Sequence, residues 1–127
     1  MSYPFNAQRG LIVLQAELFG PSGSAVLRLA LDTGATATLV NVGLLVALGY
    51  DPALAPVRVQ VTTGSGVEFA PRVTINKIAT LGQEHDNFPV LGHTLPPSAG
   101  VNGLLDLDFL RGRELVIDFR QGRVRLV

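Results

Sequence analysis

The chain of 127 residues contains no cysteine, and its ten basic residues balance its ten acidic residues. The lack of cysteine excludes disulfides, thiol chemistry and zinc fingers. The lack of net charge gives no reason to expect binding to nucleic acid or to an anionic membrane surface. We expect no cofactor, no metal ion, no nucleic-acid partner and no membrane contact by this segment.

Charge is also scarce, at 16% of residues, whereas 47% of residues are hydrophobic. A chain of this length is expected to form a single domain over residues 1–127, with a modest core. Its surface must then either expose apolar area or bury it against another subunit. The composition therefore favours an obligate oligomer over a free monomer.

No targeting segment is recognisable in the sequence. Residues Met1–Asn6 lack both the basic start and the apolar core of a signal peptide. The uncharged stretch Thr33–Tyr50 is long enough for a membrane span, but Gly34, Asn41 and Gly43 interrupt it, and we reject that interpretation. We expect a cytoplasmic protein by default, or a soluble domain of a longer membrane-tethered protein.

Short strands dominate the predicted secondary structure. The turn signal Gly20–Gly23 predicts a hairpin, and strict apolar–polar alternation in Val57–Val61 predicts a half-buried strand. A short helix is expected over Val42–Leu48, with Asn41 as its N-cap and Gly49 at its end. The predicted strands are Leu11–Phe19, Ser24–Leu31, Val57–Val61, Val67–Ile75, Lys77–Leu81, Phe88–Leu91, Leu115–Phe119 and Val124–Val127, with a polar loop at Gly82–Asn87. Many short strands with closely spaced turns are typical of a barrel-like all-β domain.

The strongest candidate for chemistry is Asp32, which follows the apolar run Leu29–Leu31 and precedes Thr33 and Gly34. No other charged residue occurs in residues 29–50. An isolated buried carboxylate is costly enough to shift its pKa and take up a proton. Asp followed by Gly two residues later is also common turn chemistry. Asp32 is therefore either a structural cap or one half of an acid–base device.

Three further features follow this turn in order. A helix-like segment ends in Leu48–Tyr50, a glycine-rich hairpin tip spans Thr62–Val67, and an apolar stretch with a short helix spans Gly103–Leu110. With this ordered set the chain resembles, over residues 10–127, the retropepsins. These are the family of the retroviral aspartic proteases, with bacterial and eukaryotic relatives.

The resemblance implies an all-β fold, a closed barrel of short strands with one or two short helices, equivalent to one half of a pepsin-type bilobed fold. It also implies an aspartic endopeptidase that acts as a homodimer on an extended peptide or protein substrate. Asp32 of each subunit would supply one catalytic carboxylate, and Thr33, Gly34 and Ala35 would form the active-site turn and dimer lock. The resemblance assigns two more sets: the flap and substrate-binding residues Thr63, Gly64, Ser65, Gly66 and Val67, and the cleft-wall residues Leu104, Leu105 and Asp106.

The cleft around Asp32 is expected to have no charge of fixed sign beyond the catalytic pair. Apolar pockets discriminate weakly among similar apolar side chains. We therefore expect cleavage between apolar or aromatic residues with broad tolerance. The side chains expected to line this cleft are those of Leu31, Ala35, Val67, Leu104 and Leu105.

Asp106 departs from the family pattern, which usually has glycine at this position. A second carboxylate there would crowd or perturb Asp32. The structural alternative makes Asp106 the N-cap of the next helix, with Asp108 at the positive end of the helix dipole and Arg111 and Gly112 at its C-terminus. The departure also leaves open an alternative function, a catalytically weak or inactive dimeric module for peptide binding or assembly.

Other chemistries have weaker support. Gly64–Gly66 lacks the lysine and the following helix of a phosphate loop, and no Gly-x-Ser-x-Gly elbow for serine hydrolysis is present. Glu84–Asp86 offers metal-ligand types without ligand spacing, in a predicted loop. We interpret His93 as a loop residue rather than a base.

Overall fold

The computed structural model describes residues 1–64 and 66–127, and it leaves the side chain of Thr63 undescribed. Its secondary structure is dominated by strands, as expected from the turn-rich, β-branched sequence. In chain order the strands and helices are β1 (Tyr3–Pro4), β2 (Val13–Gly20), β3 (Gly23–Leu31), β4 (Leu39–Val40), α1 (Val42–Ala47), β5 (Arg58–Thr63), β6 (Gly66–Thr80), β7 (Gln83–Gly92), β8 (Gly103–Leu105), α2 (Leu107–Leu110), β9 (Leu115–Asp118) and β10 (Arg123–Leu126), with single 3-10 turns at Pro52–Leu54 and Pro97–Ala99.

Six strands of the described residues close into a barrel. Their order is β2-β3-β8-β4-β7-β6, and a second pairing between β2 and β6 completes the ring. Strand β5 pairs with β6 outside this ring, so these two strands form a projecting hairpin. Closure leaves most strands without a free edge. The expected all-β closed barrel with few short helices is thereby confirmed.

The core follows from the period-two pattern of the strands. In β2 the side chains of Leu14, Ala16 and Leu18 are buried while their neighbours are more exposed. Consecutive strand side chains point to opposite faces, so one face of β2 lines the barrel interior. At the bottom of this core, Phe109 of α2 is fully buried. The side chain of Phe109 thus anchors helix α2 in the barrel core.

Strands β6 and β7 are longer than the sequence predicted, and this is a correction. The predicted break near Asn76 does not exist, and the predicted polar loop Gly82–Asn87 belongs to β7 apart from Gly82. The actual turn is Leu81 and Gly82, both with positive φ, as in a two-residue hairpin. The buried positions of β6 change phase between Ile75 and Ile78, so no single period-two pattern runs through the strand. That change of phase concealed its continuity.

Helix α1 begins and ends close to the prediction, but its capping differs. Asn41 occupies the N-cap position without a side-chain cap hydrogen bond. Its Oδ1 atom accepts instead from the backbone N–H of Leu95, at 3.0 Å. The side chain therefore joins α1 to a distant loop, a role that local sequence does not reveal.

The two ends of the chain form a separate three-stranded sheet in the order β1-β10-β9. Tyr3 pairs with Val124, and Ile117 pairs with the same residue from the other side. Strands β9 and β10 were predicted, whereas the two-residue β1 has too little sequence pattern to be recognised. No helix among the described residues is long and apolar enough to cross a membrane.

Candidate active site

Asp32 lies in a tight turn directly after β3. Its backbone N–H donates to the carbonyl of Leu105 at 2.9 Å, which ties the turn to β8. Its Oδ1 atom accepts from the N–H of Gly34, also at 2.9 Å. This is the Asx arrangement in which a carboxylate hydrogen-bonds the backbone two residues on. The side chain is half-buried, so a defined carboxylate is presented at the surface.

Gly34 lies close to that carboxylate. A Cβ atom at this position would lie 3.2 Å from Oδ1 of Asp32. Thr33 and Gly34 are exposed and Ala35 is half-buried. The turn therefore presents its Thr-Gly segment outward, where a second molecule or a substrate can reach it.

The far side of the turn is held by the start of α2. The N–H groups of Leu107 and Asp108 donate to the carbonyls of Ala35 and Thr36, each at 3.1 Å. The carboxylate of Asp108 accepts from the N–H of Thr38 at 2.9 Å and from its hydroxyl at 2.7 Å. Thr38 is fully buried. The turn is thus fixed by hydrogen bonds along both of its sides.

Thr38 was not identified by sequence reasoning, and Asp108 was interpreted only as a favourable charge at the helix dipole. Their connection spans 70 residues of sequence. A threonine at the end of an apolar turn gives no sign of such a distant partner. A buried threonine needs a hydrogen-bond partner, and this provides the physical reason for the pair.

Asp106 follows β8 as Asp32 follows β3, but its environment is different. It is fully buried, and neither of its carboxylate oxygens has a hydrogen-bond partner among the described residues. Burial, followed by the nearby charges of Asp32 and Asp108, raises the pKa of Asp106 to about 7. Asp32 is thus one of the two acidic neighbours that add to the effect of burial on Asp106.

The prediction that the Asp106 side chain caps α2 was wrong. Asp106 occupies the N-cap position with extended backbone, but its side chain makes no cap hydrogen bond. Its own N–H donates to the hydroxyl of Thr38 at 3.2 Å. The N–H of Phe109 donates to Oδ1 of Asp108 at 2.9 Å. The helix start is satisfied by Asp108, and the carboxyl of Asp106 is directed into the interior.

The glycine of the Gly-Leu-Leu stretch also has a structural cause. A Cβ atom at Gly103 would overlap the carbonyl oxygen of Leu39, because β8 and β4 approach closely there. Next along β8, Leu104 is half-buried and Leu105 is fully buried in the core. Leu105 therefore supports the turn from behind, and Leu104 alone of the two leucines reaches a groove.

That groove has a volume of about 550 Å³ and lies between the β5–β6 hairpin and the segment after β7. It contains the carboxylate of Glu68, and Nδ1 of His93 lies 3.3 Å from Oε2 of that carboxylate. Neither residue was assigned to the site from sequence. The residues lining the groove are Leu39, Val61, Thr62, Gly64, Glu68, His93, Thr94, Leu95, Pro96 and Leu104.

The glycine-rich segment forms the turn of the β5–β6 hairpin, in which Thr63 pairs with Gly66. Gly64 lies at this turn. Val67 is 55% exposed and does not line the groove described above. Ser65, assigned to the flap from sequence, lies outside the described residues.

The metal-ligand types Glu84, His85 and Asp86 lie in β7 and not in the predicted loop. Alternation separates them: His85 packs against the ring of Phe109, with centroids 4.7 Å apart, whereas Glu84 and Asp86 are exposed. Within residues 1–64 and 66–127, no three groups of metal-ligating type lie together. His93 follows β7 in a loop, as interpreted from sequence.

Comparison with known proteins agrees with this geometry. A retropepsin-like aspartic protease from Rickettsia conorii is 20% identical, with a TM-score of 0.72 over 99% of this chain and 88% of that chain. The retroviral protease-like domain of Ddi1 from Leishmania major is 14% identical, with a TM-score of 0.57 over 94% of this chain and 96% of that chain. No curated protein sequence matches the chain.

The two structural likenesses show the retropepsin-like fold. A sequence model of one family, described as aspartyl protease, matches residues 15–109, which is more than half of the chain and includes both Asp32 and Asp106. With the Asp-Thr-Gly turn, the closed barrel and this match in agreement, the chain belongs to the aspartyl protease family.

Proposed function

We propose that this protein is an aspartic endopeptidase that acts as a homodimer. The observation that carries the proposal is the Asp32 turn, in which a half-buried carboxylate is oriented by Gly34 and held from both sides. One such turn occurs per chain. An aspartic protease site needs two carboxylates, and a two-fold axis through the exposed Thr33–Gly34 segment would supply the second from the partner.

The chemistry follows from placing two carboxylates in contact. They cannot both ionise easily, so the pair shares one proton and titrates as a unit. The ionised Asp32 removes a proton from a water molecule held between the carboxylates, and the water oxygen bonds to the carbonyl carbon of the peptide. The protonated Asp32 hydrogen-bonds the carbonyl oxygen, and a proton then passes to the leaving amine as the C–N bond breaks.

The remaining residues of the site would position the dimer and the substrate. Thr33 links the two turns by hydrogen bonds across the axis, and Gly34 and Ala35 leave room for an extended substrate backbone. The β5–β6 hairpin, with Gly64 and Gly66 at its tip, acts as a flap that excludes water from the cleft. The mainly apolar groove beside Leu104 supplies the binding surface.

A mixing experiment tests the requirement for two chains. Wild-type protein and Asp32→Asn protein are mixed in equal amounts, allowed to exchange subunits, and assayed for cleavage of a peptide library between pH 5 and 7. If mixed dimers are inactive, the activity falls to about half of that of the wild-type protein alone. Asp51→Asn changes an exposed aspartate elsewhere and serves as the matched control. Mixing it with the wild-type protein should not reduce the activity below that of the wild-type protein alone.

Two results would contradict the proposal. Undiminished cleavage by Asp32→Asn protein would assign the chemistry to other residues. Cleavage by a species that sediments as a monomer would exclude the shared site. The alternative function, a dimeric peptide-binding module, predicts instead that the wild-type protein binds peptides without cutting them.

A further inference from the structure

The groove beside the β5–β6 hairpin has apolar walls with one acidic group among them. Leu39, Val61 and Leu104 contribute apolar surface, and Glu68 contributes a carboxylate. The groove and the candidate active site share strand β8, because Leu104 lines the groove and the carbonyl of the next residue, Leu105, accepts the N–H of Asp32. A peptide lying across Asp32 would therefore have side chains within reach of this groove.

The register of the hairpin directs Glu68 toward the barrel. Glu68 pairs with Val61, and Ala70 pairs with Val59 in the same alternating set. Ala70 is buried, and Val59 and Val61 pack against the small cluster that it forms with Leu39 and Leu91. Since alternate residues of a strand share a face, Glu68 lies on the face that covers the groove.

The two residues that flank Glu68 in β6 have side chains on the opposite face of the strand. Val67 and Phe69 are 55% and 64% exposed, and neither lines the groove. Val67, which the sequence places at the cleft, is thus not among the residues that line this groove, whereas its neighbour Glu68 is.

Glu68 is held in position without being neutralised by a strong cation. Its side chain is 54% exposed and contacts His93, whose own side chain is 19% exposed. The N–H of His93 donates to the carbonyl of Val40 at 3.0 Å, which fixes the loop that carries the imidazole. None of the described residues lining the groove is a lysine or an arginine. The carboxylate remains accessible to a cation from outside the chain.

We propose that Glu68, positioned by His93, forms a subsite for a lysine or arginine side chain of the peptide substrate; this inference rests on the endopeptidase function proposed above. Leu39, Val61 and Leu104 would pack against the aliphatic stem, as long basic side chains favour. The carboxylate of Glu68 would accept a charge-assisted hydrogen bond from the basic head group. The other subsites keep their preference for apolar side chains, whereas this subsite selects a positively charged side chain.

The test compares peptides that differ at one position. A peptide cleaved by the wild-type protein is resynthesised with lysine, norleucine or glutamate at each position near the cut, and kcat/KM is measured for each. At one position, lysine should be preferred over norleucine by about five- to tenfold, since the carboxylate is partly exposed to solvent. Glutamate should be the poorest substrate at that position.

Three substitutions, one of them a control, test whether Glu68 causes the preference for lysine. Glu68→Gln should reduce it to less than about twofold, and measurable cleavage of the norleucine peptide by the same variant shows that it is folded and active. Glu84→Gln is the matched control, because Glu84 is an exposed glutamate of β7 that lies 4.0 Å from Lys77, and it should keep the full preference. Glu68→Lys should reverse the order and favour the glutamate peptide.

The outcomes separate the two proposals. Cleavage without a lysine preference at any position, or a preference that survives in Glu68→Gln, overturns the subsite and leaves the endopeptidase function standing. If the wild-type protein cleaves no peptide and the Asp32→Asn protein binds none, the endopeptidase function fails, and the subsite fails with it.

Discussion

Two aspartates of this chain occupy equivalent positions after neighbouring strands, yet their surroundings are opposite. Strands β3 and β8 pair in parallel, with Leu31 beside Leu105, and Asp32 and Asp106 follow as the next residues. Asp32 is half-buried and accepts a hydrogen bond from Gly34. Asp106 is fully buried, and within the described part of the chain its carboxylate oxygens have no hydrogen-bond partner.

The difference shows how one residue type acquires two roles. A carboxylate in a surface turn can accept a backbone N–H and reach solvent, as that of Asp32 does. A carboxyl held in the interior beside two other acids is stabilised in its neutral form instead. The Asp-Thr-Gly turn supplies the first environment, and the close packing behind it supplies the second.

Of the effects expected from substituting these two aspartates, the largest is on catalysis. Asp32→Asn should lower kcat for peptide cleavage by at least about 10³-fold, because it removes both the base and the acid of the proposed pair. Asp106→Asn should keep the activity within about tenfold of wild type, because its carboxyl is buried and touches no substrate. Equal losses in the two variants would show that both carboxyls take part in the chemistry.

The next effect concerns pH and stability. The pKa of Asp106 rises from its ordinary value of 3.8 to about 7 on folding, so the folded chain binds more protons than the unfolded chain between these values. Its contribution therefore lowers stability as pH rises from about 4 to 7, with little further change above pH 7. This difference in pKa corresponds to a loss of at most about 4 kcal/mol in the free energy of unfolding. We expect about 2 kcal/mol, because the surroundings relax when the group ionises.

Urea unfolding at pH 5, 6, 7 and 8, at one fixed protein concentration, measures this contribution. The difference in unfolding free energy between pH 5 and pH 8 should change by about 2 kcal/mol in Asp106→Asn relative to wild type, in the direction of greater stability at high pH. Asp51→Asn provides the control for an exposed aspartate. Identical pH profiles for wild type and Asp106→Asn would mean that Asp106 is ionised in the folded protein throughout this range.

A smaller effect is expected from the hydrogen bonds that hold the turn. Thr38→Val retains the volume of the side chain but removes the hydroxyl that donates to Asp108 and accepts from the N–H of Asp106. We expect a loss of about 1–3 kcal/mol in the free energy of unfolding, since buried partners are left unsatisfied. Thr74→Val, at an exposed position of β6, should change stability by less than about 0.5 kcal/mol. Similar losses in both variants would remove the special role of Thr38.

The predictable part of the fold consisted of features with strong local signals. The hairpin at Gly20–Gly23 and the alternation of Val57–Val61 each required only a few neighbouring residues, and the structure contains the corresponding strands. The long strand β6 was missed because its buried positions change phase between Ile75 and Ile78. A periodic pattern detects a strand only where the phase stays constant.

The site divides in the same way. Asp32 and its turn could be recognised from the sequence because the turn is a local signal and the other motifs of the family follow it in order. The pair Thr38–Asp108 and the pair Glu68–His93 each join residues that are far apart in the chain. Nothing in the neighbouring residues of either partner identifies the other, so no local pattern could predict these contacts.

By itself, the sequence determined that the chain would be a small β barrel with a carboxylate on a tight turn, because turn chemistry and strand periodicity act between near neighbours. Only the tertiary structure decided how the aspartates behave. Asp106 was open to a local interpretation as a helix cap, and the packing of β8 and α2 placed its carboxyl in the core beside Asp32 and Asp108. Burial and the distances between charges set the protonation of an acid, and both arise only when distant segments meet.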